Sequence, residues 1–140
     1  MKPFIQLKGN YKSLIAYQKA ECIYDITYYF AHKYFSKGDR TIDQMVQAAR
    51  SGKQNIVEGS SAATTSSETE IKLYNVARAS LQELLIDYED YLRVNNYQQW
   101  DVNSDKAKRA REACTKHNDS AYYKNATQKR TAETIANIAI

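Results

Sequence analysis

Glu83, Asp87 and Asp90 fall at i, i+4 and i+7, which sets three carboxylates on one face of a helix. Like charges held close push their pKa values apart, so such a cluster can divide acid and base work. The plainer use is a solvated face, because the three lie opposite the apolar seam of their helix; docking on a basic segment of another subunit is a third. Cys114-x-x-His117 has half of a zinc spacing. Zinc needs four ligands, and no second pair stands near. The Glu-x-x-His pairs of di-metal bundles are missing, since Tyr29 and Cys114 occupy the places three before His32 and His117. Gly52-Lys53 resembles the end of a phosphate loop, yet Gln47 and Gln54 stand where the loop needs glycine and a hydroxyl. No Gly-x-Ser-x-Gly elbow occurs. The sequence therefore assigns no catalytic residue, no metal and no cofactor, and the expectation is a protein that is not an enzyme.

Charge offers more. The net charge of +4 conceals a segmental pattern. Nine Lys and Arg face four Asp and Glu over residues 1–53, three face nine over 54–105, and eight face two over 106–130. Such alternation suits subunits that dock on one another as well as it suits a polyanion. Lys106, Lys108, Arg109, Arg111 and Lys116 form the best candidate for phosphate contact, in RNA or DNA, against the bland reading of a solvated face.

Twelve tyrosines are a surplus for one core. Tyr74, Tyr88 and Tyr91 belong to a seam. Tyr11, Tyr17, Tyr24 and Tyr28 step along the first helix as a second stripe beside Ile15–Ile26. Tyrosine buries a large ring while keeping a polar tip, so Tyr17, Tyr24 and Tyr28 are candidate contacts in a homo-oligomer.

The elements that must position these residues are helical. One proline and four glycines in 140 residues leave helices uninterrupted. Residues 1–9 read as a flexible lead. A first helix is expected from about Tyr11 to Ser36, with Ile15, Cys22, Ile26, Tyr29 and Phe30 on its stripe and Gly38 closing it. Thr41 to Gln44 has the form of a capping box for a second helix. That helix carries Ile42, Met45, Val46, Ala49 and Ile56 on one face, and its small Ala48, Ala49 and Gly52 admit a close neighbour. Gly59 is expected to end it, with Ser60–Ser67 an exposed loop. Ser67 to Glu70 is a second capping box. The third helix follows, with Tyr74, Ala77, Leu81, Leu84, Tyr88 and Tyr91 as a coiled-coil seam, Ile71, Leu85 and Leu92 beside it, and Asn95 and Asn96 at its end. Residues 104–116 are helix-forming and charged, 117–130 are polar, and 131–140 turn apolar with Ile135, Ile138 and Ile140. These signals predict one all-α domain, an antiparallel up-down four-helix bundle with three core helices over 11–96 and a truncated last helix. Cys22 and Cys114 make no disulfide framework and fit free thiols in a reducing cytoplasm. No run approaches the ~20 apolar residues of a membrane span.

Arg50-Ser51-Gly52-Lys53-Gln54-Asn55-Ile56-Val57-Glu58-Gly59 resembles the second-helix signature of a bacterial family of four-helix bundles, the one named for reading frames in intervening sequences of large-subunit ribosomal RNA genes. Tyr11 with Leu14 to Ala20 looks like that family's opening helix, and Glu70 with Ala77 to Leu84 looks like its third. The likeness spans roughly residues 11–100. Where many members have Ser-Ile, this chain has Ser51-Gly52-Lys53, which is similar to a branch with an extra C-terminal portion; the stretch from Thr131 resembles the start of that branch's final helix. The resemblance implies a four-helix bundle, a ring of five subunits and no enzyme activity. One relative in fold, the accessory protein of diversity-generating retroelements, binds a reverse transcriptase and has a basic surface that contacts nucleic acid. The motif itself reads as structural, with Asn55 and Glu58 expected to hydrogen-bond the loop after Gly59. The function expected is an oligomeric helical adaptor that binds nucleic acid, or a protein bound to it; the alternative is an assembly protein with a protein partner only.

Overall fold

The computed structural model describes residues 10–140, so the expected flexible lead over 1–9 lies outside the described residues. Every regular element among them is helical: α1 Ile15–Tyr34, α2 Arg40–Ala62, α3 Ser67–Val94, α4 Asp105–Lys116, α5 Ser120–Gln128 and α6 Ala132–Ala139, with a short 3-10 turn at Tyr11–Ser13. The all-α expectation holds. Residues 105–139 fold as three short helices: α4 and α6 lie where the charged helix-forming stretch and the start of the last helix are expected, and α5 is added between them.

α1 begins at Ile15 rather than Tyr11, since Leu14 is extended between the 3-10 turn and the helix. Its inward face is Ala20, Cys22, Ile26, Thr27, Phe30 and Ala31. Ile15, expected on that stripe, is exposed. The helix stops at Tyr34, before the expected Ser36. Phe35 turns extended and lays its ring against Phe30 and Tyr91. Gly38 takes the left-handed φ of +91°, which reverses the chain in the connection instead of closing α1.

Asp39, not Thr41, caps α2: its carboxylate accepts from the Thr41 backbone N–H at 2.8 Å. α2 buries Met45, Ala49, Gly52, Ile56 and Gly59, alternating steps of four and three. Gly59 does not end the helix, which runs on to Ala62. It lies inside because the Tyr74 ring sits on it; a Cβ there would be 2.5 Å from Tyr74 Cε1. A Cβ on Gly52 would be 2.7 Å from Leu81 Cγ. Ser51 and Ser80 hydroxyls meet at 2.7 Å. Residues 51, 52 and 59 thus meet 80, 81 and 74, so α2 and α3 run antiparallel in close contact. Ser60, expected in an exposed loop, is buried in α2, and the connection shrinks to residues 63–66.

Ser66, one residue before the expected box, caps α3 through the Thr69 N–H. The seam is buried at Ala77, Leu84 and Tyr88 and half-buried at Tyr74, Leu81 and Tyr91. Leu92 is buried beside it, whereas Ile71 and Leu85 are exposed. At the C-terminus Asn96 adopts φ +59°. The Tyr97 N–H then reaches Leu92 O at 2.8 Å and the Asn96 N–H reaches Arg93 O, the paired bonds of a left-handed helix stop.

Phe30 is the hub of the main core. Its ring meets Tyr88 at 5.1 Å, Tyr91 at 4.8 Å and Tyr34 at 5.2 Å between centroids. Met45 of α2, Leu84 and Leu92 of α3, Tyr123 of α5 and Ile135 of α6 complete it. Burying each such side chain stabilises by about 1.5–3 kcal/mol. A smaller cluster of Ala20, Ile56 and Ala77 takes in Leu14, Tyr17 and Tyr74. No helix among the described residues is long and apolar enough to cross a membrane.

Candidate nucleic-acid interface

α4 is built to display its surface. Ser104 caps it through the Ala107 N–H at 3.2 Å, and Asp101 folds the preceding turn by accepting from the Asn103 N–H at 2.8 Å. At the other end the Lys19 ammonium, from α1, donates to the Cys114 carbonyl and to Asn118 Oδ1. A cation there also suits the negative end of the helix dipole. Ala107, Ala110 and Cys114 face inward onto Ile23, Ile26 and Trp100 across an apolar cavity of about 490 Å³. No α4 residue is fully buried.

Lys106, Lys108, Arg109, Arg111 and Lys116 are all exposed on this helix. Lys106 hangs over the Trp100 ring at 5.9 Å, and Arg109 Nε donates to Asp105 O. The five do not share one stripe. At 100° per residue, Lys108, Arg109 and Lys116 group on the outer side, with Lys106 and Arg111 flanking. Asp105 and Glu112 stand among them, yet none of the five is ion-paired. The salt bridges among the described residues, Lys72–Glu68 and Arg93–Asp90, both belong to α3.

α5 lies within 117–130, where the sequence predicts only a polar stretch. Its signals were there: Asp119 caps it through the Tyr122 N–H, and Tyr123 and Thr127 are buried at i, i+4. The Tyr123 hydroxyl donates to His117 O at 2.8 Å. Burial first, and the Cys114 thiol second, raise the Tyr123 phenol above its ordinary pKa.

The candidate oligomer tyrosines part ways. Tyr17 is half-buried in the smaller cluster, edge-on to Tyr11, and donates its hydroxyl to Glu21 at 2.7 Å. Burial and that bond push its phenol pKa up. Tyr24 is half-buried under the Lys53 ammonium, 4.9 Å from the ring centroid. Tyr28 is 51% exposed and lies against His32, with centroids 4.3 Å apart. Tyr24 and Tyr28 border a groove of about 930 Å³ between α1 and α5.

The carboxylates Glu83, Asp87 and Asp90 stay together on α3, and the first two border a hollow with Gln44, Gln47, Ser51 and Ser80. Partial burial raises the Asp87 carboxyl above its usual range, with Asp90 and Glu83 adding to it. Asp90 pairs with Arg93 at 3.3 Å. Asn55 does not reach the loop after α2: its amide folds back to Ser51 O at 2.8 Å. Glu58 is exposed. His117 lies flat on the Tyr122 ring at 3.7 Å. Among the described residues no group of three or more His, Cys, Asp and Glu is arranged to hold a metal.

No family model, curated protein or solved structure matches the chain.

Proposed function

We propose that this chain is a non-enzymatic, homo-oligomeric helical adaptor that offers a basic surface to RNA or DNA, or to a protein bound to them. The observation that carries the reading is α4, a helix without one fully buried residue whose five cations are exposed and lack carboxylate partners. Phosphates are the partners that such a surface fits, through release of their condensed counterions. The resemblance of Arg50–Gly59 to the intervening-sequence bundle family supports the same reading, with α1, α2 and α3 as three rods of an up-down bundle and α6 on the side of the fourth. Oligomerisation, five-fold by that resemblance, is supported by Ile15, Ile71, Leu85 and Ile86, apolar and exposed on α1 and α3.

Binding to mixed RNA and DNA at two salt concentrations tests it. With five phosphate contacts, affinity should drop by about 100-fold or more between 50 and 200 mM salt. Lys108→Glu with Arg109→Glu should abolish binding. Absence of binding at low salt ends the nucleic-acid reading. Light scattering after size exclusion tests the oligomer, and a monomer at high concentration ends that part. Stable oligomers without nucleic-acid affinity would favour an assembly protein that meets protein only. An apolar groove of about 700 Å³ between α1 and α3, lined by Leu14, Ile23, Leu81 and Leu85, is the feature that would serve it.

A further inference from the structure

Tyr24, Tyr28 and His32 line the α1 wall of the groove that α5 closes from the other side. Their rings form a continuous surface: Tyr28 stands 4.3 Å from His32 at an interplanar angle of 35°, and 6.3 Å from Tyr24. Tyr28 and His32 are exposed, so this is a wetted aromatic surface and not core.

Cations surround it. Lys33 and Lys124 line the groove, and Lys53 sits over the Tyr24 ring. Asp25 is the one carboxylate of the lining. Among the described residues no carboxylate pairs with any of the three lysines. Lys33 is held in place by donating to the Tyr29 hydroxyl at 2.8 Å. Tyr17, farther along α1, is taken up by Tyr11 and Glu21 and stands outside.

Exposed rings set beside ammonium groups that no carboxylate neutralises among the described residues fit one partner: a chain of flat bases on a phosphate backbone. Every base has a π-face, so stacking tolerates any sequence. A duplex keeps its bases stacked on one another and cannot present them to side chains. We propose that the groove between α1 and α5 holds single-stranded nucleic acid, its bases stacked on the exposed Tyr28 and His32 and its phosphates against Lys33 and Lys124. This rests on the nucleic-acid reading above and gives it a strand type and a place. Stacking does not read the sugar, so RNA and DNA strands bind alike.

The experiment is fluorescence anisotropy on the full chain, with labelled oligo(U), labelled oligo(dT) and a mixed-sequence duplex of equal length. Wild type should bind both single strands more tightly than the duplex. Tyr28→Ala and His32→Ala should each weaken single-strand binding by about 5- to 100-fold with the salt slope unchanged. Tyr28→Phe, which keeps the ring, should bind as wild type. Lys33→Ala and Lys124→Ala should each lower the salt slope by about 0.7. Lys72→Ala, on α3, should change nothing. Circular dichroism and melting confirm that each variant folds; Tyr28→Leu replaces Tyr28→Ala if the latter does not. Undiminished single-strand binding by folded Tyr28→Ala and His32→Ala, with loss on reversing Lys108 and Arg109, overturns the groove and leaves the α4 reading standing. Equal binding of duplex and single strands also overturns it. No binding of any nucleic acid by wild type removes both.

Discussion

The hydroxyls of Thr27 on α1 and Tyr88 on α3 meet at 2.8 Å where the two residues are 0% and 1% exposed. They are one polar pair in an apolar centre, beside Phe30. Each satisfies the other, so neither is replaceable alone. Tyr88→Phe should leave the Thr27 hydroxyl short of a partner and cost about 1–3 kcal/mol. Thr27→Val with Tyr88→Phe together should recover most of that loss, because two matched apolar groups bury no orphan. Urea midpoints of the four proteins check the cycle; a double variant as unstable as the sum of the singles would refute the pairing.

Gly52→Ala sets helix propensity against sterics. Alanine is favoured over glycine in a helix by about 1 kcal/mol. The new Cβ would overlap Leu81 at 2.7 Å, and the atoms met include Cγ, which moves only if the whole side chain turns. Overpacking of this kind costs about 1–3 kcal/mol, so net destabilisation is expected. Adding Leu81→Ala should make the pair less than additive. A midpoint above wild type for Gly52→Ala would show that α2 and α3 sit farther apart.

Asn137 fastens the segment between α3 and α4. Its oxygen accepts from the Trp100 N–H at 2.7 Å, and its amide donates to Gln98 O and Glu133 O, each at 3.0 Å. Asn137→Ala should free that segment before the whole chain unfolds. Trp100 is the single tryptophan, so its emission should shift to the red at denaturant concentrations that leave the helical signal intact. Coincident loss of both signals would contradict the prediction.

Buried phenols set the alkaline limit. Burial is the first cause that raises the pKa of Tyr17, Tyr88 and Tyr123 above the ordinary value. Above about pH 10 the unfolded chain releases those protons while the folded chain retains them. The folded state then binds more protons, and stability falls as pH rises. The exposed tyrosines titrate first, and the last part of the tyrosinate rise should come in a step that coincides with loss of helix. Ionisation of all twelve tyrosines with the helices intact would mean that these phenols reach water.

The three long helices were legible because their partners repeat. The Tyr74 to Tyr91 seam and the small Ala48, Ala49 and Gly52 declare a face at every turn. Local rivals blurred the ends. Asp39 outcompeted Thr41 as cap once Gly38 reversed the chain, and Gly59 read as a stop although it makes room for the Tyr74 ring. In the last third, where 104–116 and 131–140 show as helix-forming, α5 is hidden for another reason. α5 and α6 have nine and eight residues, too few to repeat a face, and are fixed by Tyr123 and Ile135 in the core and by bonds to distant positions, such as Asn137 to Trp100, 37 residues away. Periodicity does not record such bonds. The basic set of α4 is plain in the sequence, whereas the aromatic groove is not, because it exists only where α5 packs beside α1.

Lys19 holds residues 95 and 99 positions downstream. At about 5–20 residues per second, a ribosome releases α1 roughly 5–20 s before the segments that cover it. Through that interval Cys22, Ile26 and Phe30 lack their α5 and α6 neighbours, and the nascent rod stays sticky on that side. α1 thus waits for its full cover, which gives a chaperone a defined window in which to act.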